Sequence, residues 1–267
     1  MMDKKEQKQI MMHNLTEKSK AAASKTDEAV IYEEHGFTYI DAHLPSYNFN
    51  VITLSEDTPF PQLEHFQKIV KMYETKGYPM NVWGWEDQPE IISMFKKAGL
   101  VEYETDYLGM IADLTAFHPG GPHKDTTIQF KKVTAPEQLI TFGTILASLY
   151  EETAEEKQIN HYFHRAAQHS FTDHKQSQHF LGYYQGKPVA IGSLLFTENA
   201  AGIYDIAVLE RERGRGLGTK LMYHLIETAI AAGAEYCTLQ ASPEAEGIYR
   251  KLGFETIGKL KVYANFK

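Results

Sequence analysis

Ile203-Tyr204-Asp205-Ile206-Ala207-Val208 leads into Arg213-Gly214-Arg215-Gly216-Leu217-Gly218-Thr219, and the fold follows from reading these two runs together. The first is short, β-branched and aromatic, the pattern of a buried strand. After the second, Leu217, Leu221, Leu225 and Ala229 recur every four residues, with Met222, Ile226 and Ile230 beside them. That spacing predicts a helix of about four turns, ended at Gly233 by a residue suited to a left-handed cap. The glycines therefore lie where a strand turns into a helix. A helix start has amides with no partner inside the helix, and the macrodipole makes that end positive. Glycines remove the Cβ atoms that would hold an anion away, and Arg213 and Arg215 add charge. The pattern predicts a phosphate cradle.

The spacing excludes two common cradles. No Gly-Lys-Ser/Thr closes the loop as in a P-loop, and Gly214-x-Gly216-x-Gly218 is not the dinucleotide Gly-x-Gly-x-x-Gly. Downstream, Tyr236-Cys237-Thr238-Leu239-Gln240 reads as a strand and Glu244 to Leu252 as a short helix that ends in Ile248-Tyr249-Arg250-Lys251-Leu252-Gly253-Phe254. Arg-x-x-Gly-x-Gly entered from an apolar strand, followed at this distance by Tyr-x-x-x-Gly-Phe, resembles the GCN5-related N-acetyltransferases (GNAT). The resemblance covers residues 126–267 firmly and 28–115 loosely. It implies an α/β fold on a mixed sheet and acetyl-CoA as co-substrate. It also implies pyrophosphate contacts from Arg213, Gly214, Arg215, Gly216, Leu217, Gly218 and Thr219, and backbone contacts to the pantetheine arm at Ile206 and Val208.

On the same resemblance Tyr249 stands where the family has its general acid, and a phenol near pKa 10 suits proton donation to a thiolate. The alternative makes Tyr249 a core aromatic beside Phe254. Asp205 lies on the strand of cofactor contacts. It would serve as base directly or through water, or else orient the loop or pair with Arg211; strand alternation sets it opposite Ile206. Gln240 stands where some relatives have glutamate, and an amide takes no proton. Glu151, Glu152, Glu155 and Glu156 open a helix, where acids suit the dipole, in the region that forms the family's acceptor mouth. His161, His164, His169, His174 and His179 offer only one helical pair, so no metal site is expected.

Composition fits this frame. The chain has 267 residues, 43% of them hydrophobic, with one cysteine and a net charge of −8. That length suits two domains. One cysteine excludes a disulfide framework and a thiolate cluster and suits a reducing cytosol. The charge argues against a nucleic-acid surface and favours a cationic substrate. No apolar run reaches the roughly twenty residues of a membrane span, and the charged start, Met1 to Lys8, has no secretory stretch.

In chain order, residues 1–27 are expected to form a partly helical lead-in that frays at its start. Ile31–Phe37 and Phe49–Leu54 read as strands, and Pro61 opens a helix ended by Gly77. Asn81–Trp85 is a strand, Pro89–Ala98 a helix, and Tyr103–Leu114 supplies the closing strands. Pro89 to Leu100 can be laid without a gap on Pro243 to Phe254, with Phe95 on Tyr249, Lys96 on Arg250 and Leu100 on Phe254, which points to duplication. The expected plan is two tandem GNAT folds: a degenerate domain at 28–117 that lacks the glycine loop and walls the acceptor cleft, a linker at 118–125, and a catalytic domain at 126–267. In the catalytic domain Pro136 opens a helix, Ala154–His169 is a second, and Gln185-Gly186-Lys187-Pro188 turns a hairpin. The expected activity is acetyl transfer from acetyl-CoA to a primary amine by direct attack. The alternative is a non-catalytic acyl-CoA sensor or scaffold. Small-molecule and protein amines both remain open as acceptor, as do a monomer and a homodimer; neither nucleic acid nor membrane is an expected partner.

Overall fold

A computed structural model describes residues 2–54, 62–103, 106–117, 127–169 and 176–266. Its elements begin with α1 (Lys4–Ala23), β1 (Val30–Glu34), β2 (Phe37–Asp41), β3 (Val51–Leu54), α2 (Leu63–Lys76), β4 (Asn81–Trp85), α3 (Pro89–Lys97), β5 (Val101–Glu102) and β6 (Tyr107–Asp113). They continue with β7 (Ile128–Lys132), α4 (Pro136–Ala147), α5 (Ala154–His169), β8 (Ser177–Tyr184), β9 (Lys187–Phe196), β10 (Ala200–Val208), α6 (Leu217–Ala231), β11 (Tyr236–Ala241), α7 (Glu246–Lys251) and β12 (Glu255–Ala264). The expected linker at 118–125, the expected helix start at Pro61, and His174 lie outside the described residues. Two compact units emerge. One comprises residues 1–110, 240–247 and 255–267, and the other residues 111–239 and 248–254.

In the first unit the expected lead-in is a full helix. The Asp3 carboxylate accepts the Glu6 amide at 2.9 Å and the Glu6 carboxylate accepts the Asp3 amide at 3.1 Å, a reciprocal cap that satisfies amides at the helix start. The helix buries its own Met11, Met12 and Leu15, and its Thr16 hydroxyl donates to Thr53 of β3 at 2.8 Å. The strand expected at Ile31–Phe37 is instead a hairpin. His35 and Gly36, with φ of 50° and 83°, form a two-residue turn joining β1 to β2, and paired positive φ values match the twist of the flanking strands. β2 pairs antiparallel with β3, β3 parallel with β4, and β4 antiparallel with β12.

β12 is the chain's last strand, expected in the catalytic domain. Here it belongs to the first unit, where Tyr263, 1% exposed, packs among Phe37, Phe66, Tyr73 and Phe95. Its buried run Val262-Tyr263-Ala264 is that of an interior strand with neighbours on both faces. The second unit correspondingly takes Ile111–Asp113 of β6, and the Leu114 amide donates to the Glu235 carbonyl at 2.8 Å. Each unit thus draws its last strand segment from the other half of the sequence.

The second unit pairs β7, β8, β9 and β10 antiparallel and β10 with β11 parallel. The hairpin at Gln185-Gly186 forms as expected, with φ of 50° and 76°. α6 ends at a left-handed Gly233, φ 88°, where Gly233 and Ala234 donate back to Ile230 and Ala229. The repeat is visible in both units as strand, helix, parallel strand and short helix. At the ends of α3 and α7 it holds bond for bond. Gly99 donates to Lys96 at 3.0 Å and Gly253 to Arg250 at 3.1 Å, while Leu100 donates to Phe95 at 3.3 Å and Phe254 to Tyr249 at 3.1 Å. Gly99 and Gly253 share a φ of 85°.

On α6, His224 stacks on Phe130 at 5.1 Å and meets the edge of Phe180 at 5.3 Å, with its Nε2 buried and unpartnered among the described residues. Burial lowers its pKa, against a smaller opposing pull from Glu227. A depressed histidine leaves the unfolded chain holding more protons, so stability is lost as pH falls below about 6.5. His224→Phe keeps the stack and removes the titration. Its thermal melting advantage over wild type should grow from pH 7.5 to pH 5.5; a constant gap would show that His224 does not titrate against folding. The exchange of strands gives a second prediction. The fragment 124–267 carries β12 without β4 and lacks Ile111–Leu114, so it should elute as aggregates in size-exclusion chromatography, because unpaired edges recruit other chains. A monodisperse, folded fragment would contradict the exchange.

Candidate active site

β10 and β11 are paired at Ala200↔Tyr236, Ala201↔Cys237 and Gly202↔Thr238. No pairing between them follows among the described residues, so β10 runs on to Val208 with its ladder only on the β9 side. Two strands that part in this way leave main-chain donors and acceptors facing the gap, and such groups require a partner. Thr238, at the last pair, is fully buried with its Oγ1 unpartnered among the described residues. An orphaned hydroxyl at a parting pair of strands fits an occupant with polar groups of its own.

Beyond Val208 the chain makes a turn of 3₁₀ helix at Glu210–Glu212 and enters the loop. Gly214 and Gly216 have φ of 77° and 71°, and a Cβ added at either would meet nothing within 4 Å among the described residues. Glycine is therefore used for its conformation, and the space in front stays open. Gly216 is the N-cap of α6 and supplies no side-chain cap, so the amides of the first turn receive no side-chain acceptor there. Both arginines are anchored. Arg213 Nε donates to the Val208 carbonyl at 3.1 Å, and Arg215 lies 3.4 Å from Glu212 and over the Tyr184 ring at 5.6 Å. Gly218 packs its Cα side toward Val208, whose Cγ2 would be 3.8 Å from a Cβ there. Leu217 is buried and Thr219 exposed.

Asp205 sits at an irregularity in β10. The register with β9 shifts between Tyr204 and Ala207, and Asp205 has a φ of 55°. A left-handed residue at a bulge is usually glycine, and an aspartate there carries backbone strain. The bulge aims Asp205 at Ser193, whose hydroxyl donates to Oδ2 at 2.7 Å, and not at Arg211, whose Nε lies 3.9 Å from Glu212. Tyr162 of α5 is buried beside it; burial and then the Asp205 charge push that phenol up. Ile206 points the other way, to the side of Leu221 and Leu225, where a Cβ on Gly192 would strike its Cδ1 at 2.7 Å. Sequence reading missed Ser193 and Tyr162. The available signal was a lone hydroxyl inside the apolar run Val189–Phe196, since a polar group on a buried strand needs a partner.

Tyr249 lies on α7, half-buried, its ring 6.1 Å from Phe254 at 67°. Burial raises its pKa. Among the acids at the start of α5, Glu156 accepts the Glu152 amide at 3.1 Å, a capping role, and Glu155 is 6% exposed. His161, His164 and His169 are exposed, and no group of metal-ligating side chains occurs among the described residues. No helix among them is long and apolar enough to cross a membrane.

Residues 143–254 match the sequence model of the Acetyltransferase (GNAT) family, and that span contains the cradle, the bulge and Tyr249. The match covers less than half of the chain. A stretch of 100 residues is 31% identical to an uncharacterized N-acetyltransferase, YobR, of Bacillus subtilis; it takes in 36% of this chain and only 40% of that protein's length. The fold extends the likeness to nearly the whole chain. A GCN5-related N-acetyltransferase from Kribbella flavida superposes with a TM-score of 0.70 at 14% identity, covering 96% of this chain and 95% of the other. A tandem GNAT protein from the clavulanic acid biosynthesis pathway superposes with a TM-score of 0.65 at 12% identity, covering 92% and 86%.

The candidate cradle can be tested by filling it. Gly216→Val places a β-branched side chain at a left-handed position, costing about 1–3 kcal/mol of strain, and directs it into the open space. Coenzyme A binding by calorimetry should be lost while circular dichroism still reports a folded chain. Unchanged affinity would remove the loop from the site.

Proposed function

We propose that the second unit is an acetyl-CoA-dependent N-acetyltransferase acting on a primary amine. The observation that carries this is the start of α6, which has no side-chain cap, opens onto free space through two left-handed glycines, and stands at the end of a strand that has parted from its neighbour. Backbone amides of Leu217, Gly218 and Thr219 would hold the pyrophosphate with Arg213, Gly214, Arg215 and Gly216, because a helix start attracts anions. The main chain at Ile206 and Val208 would hold the pantetheine arm. When bound, acetyl-CoA supplies an activated acyl carbon and a thiolate leaving group.

The residues of this chain handle the protons. Asp205, fixed by Ser193 and beside Tyr162, takes the proton from the attacking amine directly or through water. Its strained bulge orients the carboxylate before substrate arrives, and pre-set orientation lowers the barrier. Tyr249, kept protonated by burial, gives its proton to the departing sulfur. The amine attacks as the neutral base, having released its ammonium proton to solvent. A new N–C bond forms as the C–S bond breaks; one proton passes from the nitrogen to Asp205, and another passes from Tyr249 to the thiolate. The net charge of −8 supports a cationic acceptor. In the first unit, the segment corresponding to the cradle, Ser55-Glu56-Asp57-Thr58-Pro59-Phe60-Pro61, has no glycine and two acids, and Phe95 stands in for Tyr249. These differences support a degenerate copy.

Release of free coenzyme A with a panel of amines tests the proposal. Tyr249→Phe and Asp205→Asn should each reduce turnover by about 10²–10⁴-fold, with coenzyme A affinity nearly unchanged. Near-normal turnover in Tyr249→Phe would return that ring to packing against Phe254. Absence of coenzyme A release with every amine, despite tight binding, would favour the acyl-CoA sensor.

A further inference from the structure

The first unit contains a cavity of about 1060 Å³ that the proposed reaction does not use. Small-ligand pockets span roughly 300–1,000 Å³, so this one is large enough for a complete organic molecule. It opens where the parallel pairing of β3 with β4, Val51↔Asn81 and Ile52↔Val82, comes to an end, and α1 supplies one wall. Its apolar floor is made of Met12, Leu54, Trp83, Trp85, Ile91 and Ile257. The floor is fixed in place. A Cβ on Gly109 would be 2.5 Å from the Trp85 ring and one on Gly258 would be 3.1 Å from it, while the Trp83 indole N–H donates to Asn81 at 3.0 Å.

The rim is charged, and the partners of its groups decide its character. Lys8 is paired with Asp87, Glu86 lies 3.7 Å from Lys261, and Glu246 accepts the Thr256 hydroxyl at 2.8 Å. Of the remaining charges that line the cavity, Lys4, Lys5 and Lys259 are exposed and have no side-chain partner among the described residues, against a single such carboxylate, Glu90. Three uncommitted ammonium groups above an apolar floor stand out in a chain of net charge −8, whose general surface repels anions. Lysine acts as a point charge toward carboxylate and phosphate alike.

We propose that this cavity is a second ligand site, separate from the GNAT cradle, that takes a small amphipathic anion with its apolar body on Trp83 and Leu54 and its carboxylate or phosphate at Lys4, Lys5 and Lys259. The binding is independent of acetyl transfer and is measured without coenzyme A. The chain's two tryptophans both line the cavity, so intrinsic emission reports on it directly. Full-length protein is titrated with octanoate, octyl phosphate, octanol and octylammonium. Octanoate and octyl phosphate should give saturable changes in emission, with octanol and octylammonium weaker by about tenfold or more; the ratio of the two anions separates a carboxylate from a phosphate ligand. The triple variant Lys4→Gln, Lys5→Gln, Lys259→Gln alters only exposed side chains. It should weaken octanoate by roughly tenfold and leave octanol unchanged. The proposal is overturned if no probe gives a saturable change, if octanol or octylammonium matches octanoate, if the triple variant binds octanoate like wild type, or if coenzyme A alone changes the emission.

Discussion

The parting of β10 from β11 after Gly202↔Thr238 is the constraint on which the site depends. Parallel strands normally satisfy each other's backbone groups along their whole length, and opening the pair leaves polar groups that need another partner. The chain sustains the opening from both sides. On β10 the shifted register at Asp205 bends the strand away, and Gly192 on β9 leaves room for Ile206, Leu221 and Leu225 to pack under the bend. Past Val208, Arg213 ties the loop back to the end of the strand. The same opening brings Asp205 to Ser193 and sets the start of α6 at the end of the gap.

The exchange of last strands is the second organising feature. A duplicated chain in which each copy kept its own closing strand would have a boundary near residue 118. Here Tyr263 of the final strand fills the aromatic core around Phe66 and Phe95, while Leu114 is bonded in the unit that holds β11. Each half therefore needs sequence from the other, and loss of the carboxy terminus would open the core of the amino-terminal unit. Lys261 adds to the anchorage, with Asp106 at 2.6 Å and Glu102 at 2.8 Å; those carboxylates raise its pKa.

Local chemistry was legible in the sequence where the signal was local. The four-residue period of α6, its glycine stop, the Gln185-Gly186 turn and the bounds of α5 all follow from residues within a few positions of one another. So does the match of Pro89–Leu100 to Pro243–Phe254, which carries through to individual hydrogen bonds. What stayed hidden depends on distant partners. Nothing near Tyr263 announces that it pairs beside β4 in place of the preceding half. The hairpin at His35-Gly36 lacks the Asn-Gly or Asp-Gly signal of such turns. At Asp205, alternation correctly set the side chain opposite Ile206 but gave no sign of the left-handed backbone that aims it at Ser193. The polar composition of α1 hides it in the sequence; its buried methionines and its Asp3/Glu6 cap stabilise it together.

Hydrogen–deuterium exchange with and without acetyl-CoA tests the central claim most directly, because it reads backbone amides one segment at a time. The account predicts protection confined to Asp205–Thr219 and the segment around Tyr249, with Trp83–Leu100 unchanged although it repeats the same elements. Protection absent from Arg213–Thr219, or equally strong in Trp83–Leu100, would contradict it.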